Sequence, residues 1–545
     1  MKRSTAIISG VVGLALVAGV GTTAYYTHAQ ENSINHAKYA KDKDATDYRN
    51  GVKTGKTYNL DFSKLKYKTK TLTINNKKVK VREYTNVVYT AKPVDTKYES
   101  MNIYIPEAYF QNKKINGYTK DTAPIFMPNT VGGYMSATAA TIDHGNTPSP
   151  NAGQKKSQAP AGNGANLNQN GGASSGNAMQ EALSKGFVVV SAGARGRDSK
   201  VNGKYSGAAP ATVVDLKAAV RYLKLNDKKM AGDANKIIAD GTSAGGAMSA
   251  LLASTGNNKD YYPYLKAIGA ADTSDNIFAT YSFAPITNLD NADSAYEWEF
   301  NGVNTVTSSG MPGASTSSST TELTDKQKKM STQLKSSFVT YINNLGLKDD
   351  NGKKLTLKKD GTGSFSDFVK QEVIDSANAA IKSGTSVTTE KYPWLTIKDG
   401  KATDVDMTKY FASIGRMKTP TAFDSVDLSA AENQIMGTST TRAKHFTSFG
   451  MKNNTKSGAT MADSSIIKMM NPMNYIGKSG TTMAKHYYIR YGGKDANTSV
   501  AIPTILAQKL KNAGVDVDYK VKWDTGHSGD YDMDDMFKWA EKITK

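Results

Sequence analysis

The sequence predicts an α/β protein, a sheet with covered faces whose chemistry gathers where its strands end. Three observations carry that expectation. An apolar run, Ile237-Ile238-Ala239, leads into the turn Gly241-Thr242-Ser243-Ala244-Gly245 and then into small residues suited to a helix. Upstream of it, strand-length apolar runs alternate with helical stretches, the rhythm of an α/β sheet. The same rhythm returns at His486 and holds to the last residues.

Taken in order, the chain opens on Met1-Lys2-Arg3, a mostly apolar stretch from Ala6 to Val20, and small residues at Thr22-Thr23-Ala24 and Thr27-His28-Ala29. That is the layout of an export signal. Residues 1–29 are expected to be a signal peptide or, if uncleaved, an anchor crossing the membrane through residues 6–24. Either way the body is secreted or held at the cell surface. Residues 30–55 read as a polar tether. A first core segment, 56–285, supplies β-rich pieces at 71–74, 79–89 and 101–105 and a short apolar strand at 125–128. This strand runs into Asn129-Thr130-Val131-Gly132-Gly133-Tyr134, either a donor turn for an oxyanion or a plain Gly-Gly turn. Residues 145–176 form a long loop rich in Pro, Gly, Asn, Ala and Ser. A helix at 178–184 precedes the apolar strand 187–190, which ends in Ala192-Gly193-Ala194-Arg195-Gly196-Arg197-Asp198. Residues 212–225 show helical spacing, and the Ser243 turn follows.

From 286 to 472 the alternation stops. This stretch holds a Ser/Thr/Gly tract at 306–321, a helix at 325–344 and lysine-rich turns at 348–363. An insert at this point is expected to form a separate cap, or lid, over the site. The second core segment, 473–545, resumes with a strand at 486–491 running into Gly492-Gly493-Lys494-Asp495. A helix at 500–512, a strand at 515–523, the loop Asp524-Thr525-Gly526-His527-Ser528-Gly529-Asp530 and a helix at 533–543 complete it.

The chain has no cysteine, which excludes disulfides, thiolate metal sites and a cysteine nucleophile. Its net charge of +20 suggests attraction to an anionic cell wall. Nucleic acid is the rival partner, but the lysines lack interleaved aromatics or a recognition motif, and none is expected. No zinc or calcium spacing occurs, so no metal is expected. The cluster Asp530, Asp532, Asp534, Asp535 reads as charge at the start of the last helix rather than a cation site.

A serine hydroxyl needs a base to take its proton and a carboxylate to orient that base. Two stretches match G-x-S-x-G. Ser174 lies in the Gly/Ser-rich loop with no strand before it, whereas Ser243 has the strand, turn and helix that a nucleophile requires. In this arrangement the chain order is serine, acid, histidine. Of the six histidines, His445, His486 and His527 follow Ser243. His527 sits after the last strand, where the base belongs; His445 falls in the insert and His486 at a strand start. Asp495, at the carboxyl end of the preceding strand, is the best acid. Asp524 and Asp530 flank His527 too closely to reach its far nitrogen easily. The N–H of Ala244 and one from the turn containing Gly132 and Gly133 would hold the oxyanion.

Three stretches bring a family into view. They are Gly241-Thr242-Ser243-Ala244-Gly245-Gly246-Ala247-Met248-Ser249-Ala250; Arg416-Met417-Lys418-Thr419-Pro420-Thr421-Ala422-Phe423-Asp424 with Glu432-Asn433; and Ile489-Arg490-Tyr491-Gly492 through Asp495 and Asn497-Thr498-Ser499 to Trp523-Asp524 and His527-Ser528-Gly529-Asp530-Tyr531-Asp532. The chain resembles the bacterial tannases, tannin acyl hydrolases of the α/β-hydrolase superfamily, over roughly residues 60–545. The resemblance implies an α/β-hydrolase fold with a large cap inserted between the nucleophile region and the last strands. It implies cleavage of esters between gallic acid and sugars or simple alcohols, without a cofactor. It assigns Ser243, Asp495 and His527 as the triad, and Lys418 and Glu432 to the hydroxyls of the galloyl ring. Residue reasoning alone would leave those two as solvated surface charges. The family carries an aspartate where this chain has Asn497, also facing the ring.

Two other readings stand beside this one. The first is a feruloyl-type or general carboxylesterase acting on other phenolic or acyl esters. The second is a non-catalytic surface binding protein on a hydrolase scaffold, carried by the positive charge.

Overall fold

A computed structural model describes residues 56–143, 178–308 and 319–545. The expected export segment and tether, and the whole of the 145–176 loop with Ser174, lie outside the described residues.

A mixed sheet of nine strands forms the centre of the molecule. Its strands are β1 (Lys68–Ile74), β2 (Lys77–Val88), β3 (Ser100–Pro106), β4 (Ile125–Pro128), β5 (Val188–Ala192), β6 (Ile237–Thr242), β7 (Ala279–Phe283), β8 (His486–Gly492) and β9 (Asp516–Lys522). The order across the sheet is β1-β2-β3-β5-β4-β6-β7-β8-β9. The first three strands and β5 pair antiparallel; from β5 to β9 every neighbouring pair is parallel. The sequence accounts for that division. β1 alternates exposed and buried residues at its end, as a sheet with one wet face does, whereas β4, β5 and β7 are buried along their whole length.

Helices α1 (Ala178–Ser184), α2 (Ala211–Leu225), α3 (Ala244–Ser254), α8 (Ala501–Asn512) and α9 (Met533–Thr544) connect or close the sheet, with α4 to α7 between β7 and β8. α3 is buried throughout, which its Ala, Gly and Ser side chains permit by letting it lie close to the sheet. Two clusters of buried charge are paired. Asp215 on α2 receives Arg195 at 2.6 Å, and Asp275 receives Lys217 at 2.9 Å and Arg221 at 2.8 Å.

Nearly every expected element is present within a few residues of its expected bounds. Helices over Leu289–Phe300 and Ser364–Lys382 were not expected, and two further differences concern strands. Strand β7 was not expected; it stands between the serine strand and β8. No strand was expected in the Ser/Thr/Gly tract, yet Thr305–Ser308 and Ser319–Glu322 at its ends pair as an antiparallel ribbon.

The stretch between β7 and β8 carries α4 (Leu289–Phe300), α5 (Asp325–Leu345), α6 (Ser364–Lys382) and α7 (Ala431–Ile435), with shorter pieces among them. α5 starts on a capping box of Thr324 and Gln327 and stops at Gly346 in the left-handed conformation. Trp298 of α4 binds this region together: its ring lies 5.4 Å from Phe338, 5.7 Å from Phe365 and 5.5 Å from Phe411, and its indole N–H donates to Gly361 O at 2.9 Å. Among the described residues no helix is long and apolar enough to cross a membrane.

Candidate active site

β6 delivers Ser243 to a turn that only a constrained backbone can make. Ser243 has φ 61° and ψ −122°, a left-handed φ that is costly for a residue with a side chain. The surroundings hold it there: Ser243 N donates to Phe283 O at 2.9 Å, and its carbonyl accepts from Ala247 N at 2.9 Å. Gly241 and Gly245 are glycines for want of space. A Cβ on Gly241 would press into the carbonyl of Gly245, and one on Gly245 would lie 2.8 Å from both Asn129 Oδ1 and Val131 O. Asn129 fastens the end of β4 to this elbow, its amide donating to Asp240 O at 2.8 Å and Ser249 Oγ at 3.0 Å.

Asp495 lies just beyond β8, fully buried. Its Oδ1 accepts from the N–H of Asn497 at 2.8 Å, and its Oδ2 accepts from His527 Nδ1–H at 2.7 Å. That bond fixes the tautomer of His527 and leaves Nε2 as the acceptor. Nε2 is buried and without a protein partner among the described residues. His527 rides on the loop after β9, which folds back over the serine turn: Gly529 packs so tightly on Thr242, the residue before Ser243, that no side chain fits there. The carboxyl ends of three parallel strands, β6, β8 and β9, thus bring Ser243, Asp495 and His527 to one edge of the sheet.

The other two described histidines, His445 and His486, are engaged elsewhere. His445 is bonded at both ring nitrogens, to Asp424 at 2.7 Å and Asn454 at 3.0 Å. His486 pairs with Asp516 at the opposite end of its strand. Asp524 pairs with Lys494. Around the start of α9, Asp532 pairs with Lys522 at 2.6 Å, while Asp534 and Asp535 lie in the first turn. Among the described residues no group of three or more His, Asp or Glu could hold a metal ion.

Lys418 and Glu432, read from the residues alone as surface charges, are withdrawn from solvent. Glu432 is 6 % exposed and Lys418 half-buried, its ammonium 4.0 Å from the centre of the Phe423 ring. Burial pushes the Lys418 ammonium below the ordinary lysine range, against the pull first of Glu432 and then of Asp495. Burial pushes the Glu432 carboxyl up, against Lys418 and then Arg197. The two side chains therefore sit in each other's field, Lys418 also in that of Asp495, and neither is tied down by the other in a hydrogen bond or ion pair. Asn497 is also buried, and its amide oxygen has no partner among the described residues.

The region between β7 and β8 supports this pair from behind with buried ions. Arg416 is gripped by Glu297 of α4 at 2.6 Å, both wholly buried, and donates to Lys418 O at 3.2 Å. Asp293, also on α4, accepts from the N–H groups of Phe423 at 2.7 Å and Asp424 at 3.0 Å. Asp424 accepts from Asn433 Nδ2 at 2.6 Å, next to Glu432. Removing one partner of the Arg416 pair strands a buried charge. Glu297→Gln is expected to lower stability by about 3–5 kcal/mol, read from the urea midpoint; an unchanged midpoint would show that the pair contributes nothing net.

The parallel strands, the strained serine elbow and the loops beyond β8 and β9 define an α/β-hydrolase. Residues 161–344 match the BD-FAE family, and no curated protein matches the chain. Among solved structures, the chain is 45% identical to a tannase from Fusobacterium nucleatum, with a TM-score of 0.81 over 90% of this chain and 100% of that one. It is 38% identical to the tannin acyl hydrolase from Lactobacillus plantarum, with a TM-score of 0.79 over 88% of this chain and 97% of that one. A tannin acyl hydrolase in complex with ethyl gallate is likewise 38% identical, with a TM-score of 0.78 and the same coverage. The chain belongs to the bacterial tannases and is a carboxylic ester hydrolase.

Sequence reasoning missed Asn129, which anchors the elbow, and the buried acids of α4, which seat the Lys418 segment. It noticed the 192–198 motif without giving it work. Polar residues just after a strand are a signal for such anchoring, but their partners lie far off in the chain and no spacing reveals them.

Proposed function

We propose that the protein hydrolyses galloyl esters of tannins and simple gallates through Ser243, His527 and Asp495. The observation that carries this reading is the 2.7 Å bond from His527 to Asp495 beside an unpartnered Nε2 and a strained serine turn. His527 Nε2 takes the Ser243 proton as Oγ attacks the ester carbonyl. The N–H of Ala244, at the start of α3, and one from Gly132 or Gly133 hold the oxyanion. Collapse expels the alcohol, which takes the proton from His527, and water then cleaves the acyl-enzyme by the same steps in reverse. The galloyl hydroxyls meet the Lys418 ammonium, the Glu432 carboxylate and the Asn497 amide. The region 286–472 acts as the cap that supplies the first two.

Ring recognition has a separable cost. A hydrogen bond to a charged group is worth about 1.5–3 kcal/mol, so Glu432→Gln is expected to lower kcat/KM for methyl gallate by roughly ten- to a hundredfold. Phenyl acetate, which has no acyl-ring hydroxyls, should be hydrolysed as by the parent. Equal losses on both esters would sink the assignment. A preference for methyl ferulate over methyl gallate would favour the feruloyl-type reading instead.

We further propose that the protein works outside the cytoplasm, held to anionic wall material by the β1–β2 hairpin and the segment leading into it. Lys64, Lys66, Lys68, Lys77, Lys78 and Lys80 there are exposed, and none is in an ion pair among the described residues. Retention on isolated cell wall should then fall steeply with salt, and retention indifferent to salt would contradict it.

A further inference from the structure

The loop after β5 lies flat against the turn that holds Gly132 and Gly133. Ala137 and Ala194 exchange two backbone bonds of 2.9 Å, Arg197 N donates to Tyr134 O at 2.9 Å, and Ser136 N donates to Asp198 Oδ1 at 2.6 Å. Gly196 is pressed so closely on the Met135–Ser136 backbone that a Cβ would overlap it. From this base the half-buried Arg197 side chain reaches two ways. Nε donates to Gly133 O at 2.7 Å, and one terminal nitrogen donates to Gln434 Oε1 on α7, two residues after Glu432. The guanidinium is also one of the charges facing Glu432. Arg195, the other arginine of the motif, is occupied by the buried carboxylates of Asp215 and Glu99.

The two contacts govern different parts of the reaction. The peptide between Gly133 and Tyr134 is trans and planar, so a grip on the Gly133 carbonyl fixes the plane next to Gly133 and with it the tilt of the turn that carries the Gly132 and Gly133 N–H groups. An oxyanion donor displaced by about 1 Å costs on the order of a hundredfold in rate. The contact with Gln434 ties that same turn to the helix that presents Glu432.

We propose that Arg197 is a positioning residue that braces the oxyanion turn at Gly133 against the ring-recognition helix at Gln434. Docking of the ring hydroxyls and stabilisation of the oxyanion then share one support. This proposal rests on the galloyl-ester reading above. Lysine cannot replace the brace: it keeps the charge near Glu432 but, as a single flexible point donor, does not hold Gly133 and Gln434 together.

The test is kcat and KM of the full chain, Arg197→Lys and Arg197→Gln on methyl gallate and on phenyl acetate, with thermal unfolding of each. In Arg197→Lys, kcat should fall roughly tenfold to a hundredfold on both esters, while KM for methyl gallate stays within about threefold. Arg197→Gln should show the same fall in kcat and, for methyl gallate alone, an additional rise in KM of about tenfold. Lysine restoring kcat, or both variants staying within about threefold of the parent, would overturn the brace. Gln434→Ala removes the far anchor and leaves Arg197 in place, so it decides the matter if the Arg197 variants do not fold. It should lower kcat about threefold to tenfold on both esters, and no fall overturns the proposal. If the parent hydrolyses phenyl acetate through Ser243 but releases no gallic acid, the galloyl reading fails; the kcat arm on phenyl acetate still decides the brace.

Discussion

Replacing Ser243 by alanine is expected to lower kcat for methyl gallate by about a million-fold while leaving the fold intact. The nucleophile is the one group of the proposed mechanism without a substitute: water must then attack the ester directly, aided only by the oxyanion donors and by binding. The turn itself should survive, because its conformation is held by backbone bonds to Phe283 and Ala247 rather than by the hydroxyl. Alanine at φ 61° is no more strained than serine. Gallic acid release followed by chromatography, with circular dichroism as the check on folding, reads the effect. A folded variant retaining a tenth of the parent rate would remove Ser243 from the mechanism.

Asp495→Asn should cost about ten-thousandfold, by a subtler route. The amide can still accept from the N–H of Asn497 and keep the loop in place. Toward His527, however, an amide nitrogen donates where the carboxylate accepted, and the imidazole turns to the wrong tautomer with its proton on Nε2. A loss below about tenfold would point to another carboxylate orienting His527. One candidate is Glu299, buried in the field of Asp495, its carboxyl pushed up to about 8 by that burial. Glu299→Gln in the Asp495→Asn background would decide between them.

The contrast between Ser243 and Arg416 shows what the chain discloses in advance. The proposed nucleophile, base and acid, Ser243, His527 and Asp495, could be named in advance because each sits at a strand end whose apolar run is visible locally and whose order along the chain is constrained. β7 escaped because Ala279-Thr280-Tyr281-Ser282-Phe283 is short and mixes polar with apolar residues, although all five are buried. The supports of the ring pair were illegible for a different reason. Arg416 meets Glu297 across 119 residues and Arg197 meets Gln434 across 237. A charge that is buried and paired at such separation has the same local spelling as a solvated one. Lys418 and Glu432, buried without such an ion pair, are spelled no differently: family resemblance assigned them a task, and their burial became visible only in three dimensions.

The most direct measurement is rapid quenching of the protein with methyl gallate, followed by mass spectrometry of the peptide that contains Ser243. A galloyl adduct on Ser243 that forms and decays at rates matching gallic acid release is the expected result. Gallic acid release with no adduct on that peptide, undiminished in Ser243→Ala, would contradict the mechanism at its centre.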